Sequence, residues 1–157
     1  MAYLGLGEVA AFAFFGPVAV VGTAYVQSHA LSGLAVTLAM GPGLLSAAIL
    51  GVNNLRDRVT DARVNKRTLA VRFGASAART LYFAEVAGAF LLPVGLVLAG
   101  LLRPGALLSL AALPLVIGPA RAVLGAEGPA LNAALAGTAR LLLVYGALLA
   151  LGLVWLG

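Results

Sequence analysis

The sequence predicts an all-α, polytopic transmembrane helix bundle of about five spans, and three observations predict it. Hydrophobic residues make up 62% of the 157 positions and charged residues only 10%, against roughly 45–50% and about 25% in soluble domains. The apolar stretches run on for the ~20 residues that a bilayer-crossing helix needs. They are continuous in Leu, Ala, Val and Gly rather than alternating in polarity, which excludes a transmembrane barrel. Five such spans with short connections use up the chain, so residues 1–157 are read as a single transmembrane domain.

The first span is expected over about Val9 to Val26. It has Glu8 at its start and no early Lys or Arg, so it lacks the charged n-region of a secretory signal and is retained. Its Gly16-Pro17 pair is tolerated where neighbouring helices satisfy the freed backbone. The second span, about Leu31 to Val52, carries Gly41-Pro42-Gly43 at its centre, which implies a kink or a close helix contact. A polar loop, residues 53–75, separates it from a third span over Ser76 to Leu102. The fourth runs from Gly105 to about Leu124 and the fifth from about Ala130 to Leu156, with turns at Arg103-Pro104-Gly105 and Gly125 to Pro129.

Six of the ten basic residues, Arg56, Arg58, Arg63, Lys66, Arg67 and Arg72, fall in the loop between the second and third spans. The connections on the opposite side hold only His29 and Arg103, so the positive-inside rule makes the basic loop cytoplasmic and the chain a multi-pass protein of the cell's inner (plasma) membrane. That loop accounts for much of the net charge of +5. It is short and lies between spans, so no nucleic-acid partner is expected. The absence of cysteine and the single histidine, His29, exclude disulfides, thiolate metal sites, cysteine nucleophiles and multi-histidine metal centres.

Chemistry concentrates in the polar loop. Asn53, Asp57, Asp61 and Asn65 are each four residues apart and line one face if the second helix continues into the loop. Stacked carboxylates repel, and a bound cation reverses that sign. Magnesium fits, because it is held by one or two carboxylates while keeping waters and taking phosphate oxygens from a substrate. Arg56, Arg63, Lys66, Arg67 and Arg72 surround the carboxylates, and arginine makes forked contacts with phosphate. Together these residues describe a diphosphate site at a membrane surface. The same spacing is equally compatible with a solvated loop whose Asp and Arg residues pair with one another at under about 1 kcal/mol each.

The run Asn53-Asn54-Leu55-Arg56-Asp57, then Asp61, then Lys66-Arg67-Thr68-Leu69-Ala70-Val71-Arg72, resembles the second aspartate-rich motif of the UbiA superfamily of intramembrane aromatic prenyltransferases. Within it the wording is most similar to the branch that prenylates 1,4-dihydroxy-2-naphthoate in menaquinone biosynthesis. Gly5-Leu6-Gly7-Glu8 before the first span and Thr138-Ala139-Arg140-Leu141 in the last resemble further signatures of that branch. The resemblance implies transfer of a polyprenyl group from an allylic diphosphate to dihydroxynaphthoate with loss of carbon dioxide. It implies Mg2+ held by Asn53, Asp57 and Asp61, with Asp57 and Asp61 as the catalytic carboxylates and Arg56, Lys66 and Arg67 near the phosphates. Alternatives are another aromatic acceptor, or a non-catalytic membrane fragment whose basic loop contacts anionic lipid.

Two departures from the family pattern stand out. Asn65 occupies the place of a family glycine before the lysine, and asparagine is the residue that best tolerates a left-handed conformation after glycine. The first aspartate-rich motif is missing, since Glu8 is the sole acidic residue before Asp57. The chain therefore looks like spans five to nine of a nine-span enzyme and is expected to be inactive alone. Its partners would be polyprenyl diphosphate, dihydroxynaphthoate and the lipid bilayer, with an N-terminal half or a second copy meeting small-residue faces such as Gly41 to Gly43 and Gly88.

Other residues carry narrower expectations. Glu85 and Arg140 sit about ten residues into their spans, where an ionisable group is usually paired or functional. They are expected to pair with each other or to be hydrated by the cavity, or Arg140 to contact the acidic aromatic substrate. Glu8 is expected to start or cap the first helix, and Asn132 to hydrogen-bond between helices. Tyr25, Tyr82, Tyr145 and Trp155 are expected as packing groups or interface anchors, and His29 as solvated.

Overall fold

The computed structural model describes residues 5–156, and all its regular elements are helical. We number them α1 (Gly7–Ser28), α2 (Gly33–Arg56), α3 (Arg58–Arg63), α4 (Leu69–Leu98), α5 (Pro104–Gly125) and α6 (Gly128–Trp155). All but the short α3 are long and apolar enough to cross a membrane, giving the five spans that the composition demands.

Capping chemistry fixes most of the ends. Ser32 accepts from the Ala35 N–H at 3.4 Å and opens α2, and Thr68 accepts from the Val71 N–H at 3.3 Å and opens α4. The third span therefore begins at Leu69, seven residues earlier than the apolar run suggests, and bends at Gly74, whose φ of +85° and ψ of 172° are open to glycine alone. His29, exposed and left-handed with φ of +53°, ends α1, its N–H bonding the Tyr25 carbonyl at 2.7 Å.

Each proline inside a span leaves a backbone carbonyl to be satisfied by other means. Pro17 sits in a π-helical turn, Phe14–Val18. Pro93 cannot serve the Ala89 carbonyl four residues earlier, and the Tyr145 hydroxyl of α6 donates to that oxygen at 2.8 Å. Tyr145 can reach it because it passes over Gly41 of α2, where any Cβ would meet the phenol. A Cβ on Gly43 would lie 2.8 Å from the Phe12 carbonyl, so Gly41-Pro42-Gly43 makes close contact with α1 on one side and α6 on another.

Central α2 touches α1, α4 and α6, and α6 also packs along α5. The first part of α5, Pro104–Val116, is a 3-10 helix rather than the α-helix the apolar run suggests. Gly105 and Gly152 bring α5 and α6 into backbone contact, which a slimmer helix suits. Leu45, Val52, Tyr82, Leu131, Leu141 and Tyr145 are fully buried in the resulting core, while Tyr25 and Trp155 are exposed.

Candidate functional site

The last turn of α2 and the segment after it assemble the polar end of the bundle. Helix geometry lapses at Asp57 (φ −92°, ψ 5°). The i to i+4 ladder nevertheless continues, with the Asp57 N–H bonding the Asn53 carbonyl at 3.0 Å and the Asp61 N–H bonding the Asp57 carbonyl at 2.8 Å. Asn53, Asp57 and Asp61 thus remain in register across the break. Asn65 leaves the row: it lies beyond the end of α3 in the left-handed region, φ +56°. That is the conformation expected of asparagine standing where the family has glycine, and it corrects the four-residue row read from spacing. The reversal turns Lys66 back, so its N–H bonds the Asp61 carbonyl at 2.9 Å and its Nζ lies 3.2 and 3.0 Å from the two Asp61 carboxylate oxygens.

Arg56 has a fuller set of partners. Its Nε and Nη2 donate to the two oxygens of Asp57, each at 2.7 Å, its Nη2 also to Asn53 Oδ1 at 2.9 Å, and its Nη1 to Asn132 Oδ1 on α6 at 2.9 Å. The guanidinium holds the Asp57 carboxyl below the usual carboxylate range, against a smaller opposing effect of burial. Both side chains are about 30% exposed (27% and 32%), so the pair is worth under about 1 kcal/mol to the fold. Its importance is to charge balance: each motif carboxylate has a cation from the motif itself. Arg67 and Arg63 are exposed around this core, and the Arg67 carbonyl rests against Gly5, where a Cβ would come within 2.9 Å.

The donor chemistry suits a hard divalent cation of the magnesium type. Among the described residues no three His, Cys, Asp or Glu side chains come together. Asp57, Asp61 and the Asn53 amide supply hard oxygen donors of the kind such an ion takes alongside phosphate oxygens and water.

Asn53 also lines a cavity of about 470 Å³ between α1, α2 and α6, whose other walls are Ala11, Phe15, Ser46, Ile49, Leu50, Leu135 and Leu142. An apolar chamber thus has the motif at its polar end. Arg140 does not line it. Arg140 is exposed on α6, whereas Glu85 is buried on α4 beside Gly51, so the expected ion pair between them is not formed. The reason is facing: Glu85 shares the α4 face of Tyr82 and Ala89, which is packed inward, while Arg140 lies off the buried Thr138–Leu141–Tyr145 face of α6.

Sequence reading missed one contact next to the motif. Asn54, buried beside Asn53, donates to Glu8 Oε1 at 2.8 Å. Glu8 stands in the first turn of α1 as expected, but its carboxylate ties α1 to the motif end of α2. The available signal was Asn54 itself, a buried amide that must find a partner. Glu8 and Glu85 line a common cleft, and the Oε2 of each is buried with no hydrogen-bond partner among the described residues. Asn132 makes the expected interhelical bond, and its partner is the motif arginine.

The bundle thus joins a motif of paired carboxylates and basic residues, through Asn53, to an apolar cavity among membrane-length helices. The profile of the UbiA prenyltransferase family matches residues 1–144, and the chain belongs to that family. It is 45% identical over 122 residues to the 1,4-dihydroxy-2-naphthoate octaprenyltransferase of Mycobacterium tuberculosis, a match covering 76% of this chain and 41% of that protein. Proteins of the same description from Mycobacterium leprae and Escherichia coli are 40% and 35% identical, over 91% and 81% of this chain and 48% and 41% of theirs. The chain spans about half the length of these curated relatives or less. No solved structure gives a significant match. With five membrane-length helices and this family membership, the chain is a multi-pass membrane protein.

Proposed function

We propose that this chain forms the C-terminal half of an enzyme that transfers a polyprenyl group from its allylic diphosphate to 1,4-dihydroxy-2-naphthoate, with loss of carbon dioxide, in menaquinone biosynthesis. The observation that carries the reading is the juncture at Asn53. There an apolar chamber suited to the prenyl chain meets Arg56, Asp57 and Asn53, which suit a diphosphate and its metal. The relatives' shared description supports the naphthoate as acceptor.

Asp57, Asp61 and Asn53 would hold magnesium, which when bound would neutralise the diphosphate and ease its departure. Arg56, Lys66 and Arg67 would orient the diphosphate and stabilise the charge that grows on it as the allylic C–O bond breaks. The walls of α1, α2 and α6 would keep water from the allylic cation until the ring carbon captures it. The new C–C bond forms at the carbon bearing the carboxylate, and the electrons of the departing C–CO2 bond restore the aromatic ring. Arg140 is proposed to contact the acidic acceptor from the face that α6 leaves exposed. The motif is proposed to face the cytoplasm in the inner membrane.

These 157 residues supply one carboxylate pair and one side of the chamber, so we expect no turnover from them alone. The test incubates the purified chain in lipid with polyprenyl diphosphate, dihydroxynaphthoate and magnesium, with and without a co-expressed N-terminal half from a related enzyme. Product only in the paired sample supports the reading; robust product from the chain alone refutes its incompleteness. Single cysteines introduced at Val64 and Ser28 test orientation, and labelling of Val64 from the outer face alone would invert it.

A further inference from the structure

We propose that Arg56 is a resident cation, a guanidinium that must leave Asp57 before a metal and a diphosphate can occupy the motif, and that Asn132 is the residue positioning it for that exchange. The inference rests on the diphosphate-site reading above. It starts from a donor count. A guanidinium has five N–H groups. Four hydrogen bonds are already made, two to Asp57, one to Asn53 and one to Asn132. One N–H remains, so a forked contact with phosphate costs Arg56 at least one present partner, and a fork through the Nε and Nη2 donors costs it Asp57.

Asp57 faces the matching constraint. Both of its oxygens already accept from Arg56 at 2.7 Å, and a divalent cation brought to that carboxylate would meet the guanidinium's positive charge. A metal arriving alone must displace Arg56 and leave it without an anion. A diphosphate arriving alone and taking the Nε and Nη2 donors draws Arg56 away and leaves Asp57 without a cation. Arriving together, they let Asp57 exchange guanidinium for metal while Arg56 exchanges carboxylate for phosphate. Every charge then keeps an opposite partner, so the two ligands bind with positive coupling. The Lys66–Asp61 pair repeats the arrangement, with its carboxylate four residues on.

Asn132 has a distinct part in this exchange. Its side chain is neutral and belongs to α6 rather than to the motif, so its loss changes no charge at the site. By accepting from Nη1 it keeps the guanidinium at the chamber mouth while the Nε and Nη2 donors change partners.

The test uses the purified chain in lipid nanodiscs and reads Mn2+ binding by electron paramagnetic resonance, first without any diphosphate. Arg56→Gln is expected to tighten Mn2+ binding, on the order of tenfold, because the competing cation is gone. Asn132→Ala, which leaves every charge in place, is expected to tighten it less and serves should the arginine variant fold poorly. With a polyprenyl thiodiphosphate added, Arg56→Gln is expected to weaken binding of that ligand and Arg56→Lys to restore part of it. A merely structural arginine would weaken both ligands on removal. Mn2+ binding that Asp57→Asn abolishes but Arg56→Gln leaves unchanged or weaker overturns the resident-cation inference and spares the site. Mn2+ and thiodiphosphate binding that Asp57→Asn and Asp61→Asn both leave untouched overturns the site reading itself.

Discussion

Two pairs of carboxylates lie near the same end of this bundle, and their partners differ in kind. Asp57 and Asp61 belong to the motif at the rim, the first side chain 32% exposed and the second only 10%, each with a basic partner from its own motif at 2.7 to 3.2 Å. Glu8 and Glu85 line a cleft between α1, α2 and α4, 4% and 7% exposed, with an amide for Glu8 and, among the described residues, no hydrogen-bond partner for Glu85 Oε2. Partly exposed ion pairs hold a fold together weakly, but they can change partners cheaply when charged ligands arrive. Buried carboxyl groups contribute through what they hydrogen-bond and cost where they hydrogen-bond nothing. Charged partners mark the rim, and a buried amide bond marks the interior.

This contrast is open to direct challenge, most strongly through activity. In an enzyme completed by an N-terminal half, Asp57→Asn or Asp61→Asn should cut prenyl transfer by about a hundredfold or more, the scale of lost charge stabilisation at a reacting group, with melting temperature little changed. Near-normal turnover by both variants at saturating diphosphate and magnesium would erase the distinction between rim and interior.

Glu8→Ala probes the interior pair. It strands the Asn54 amide in a buried site and should destabilise the chain by about 1–3 kcal/mol, measured by thermal unfolding in detergent or lipid. Glu8→Gln keeps an acceptor for Asn54 and should recover most of that loss. Equal losses for the two variants would mean that the Glu8 charge, rather than its bond to Asn54, is what counts.

A smaller effect is expected at Glu85. Its Oε2 has no partner to lose, so Glu85→Gln should change stability by less than about 1 kcal/mol or raise it slightly, and transfer should persist in the completed enzyme. Strong destabilisation would point to a partner for this carboxyl beyond the described residues. Smallest of all is Gly51→Ala: its Cβ would meet Glu85 Oε2 at an ordinary 3.9 Å, so the change should cost less than about 0.5 kcal/mol in the same unfolding measurement.

The sequence by itself determined the membrane bundle, the number of its spans and the position of the motif. Bilayer thickness turns apolar length into span count, and the polar stretch 53–75 is the one place where charge concentrates. It also determined that Asn65 can turn left-handed, because that preference is local to the residue. Residues 69–75 were misread as loop because they carry Arg72 and Gly74, and only the Thr68 cap and packing of Ala70 show where α4 starts. Tertiary structure alone decided who meets whom. Arg56 reaches Asn132 across 76 positions and Asn54 reaches Glu8 across 46, while Glu85 and Arg140, at similar depths, look in different directions. Depth follows from counting residues along one helix, whereas facing and partnership depend on how each helix is rotated against its neighbours. That rotation is set by contacts such as Gly41 under Tyr145 and Gly105 against Gly152, which no single segment contains.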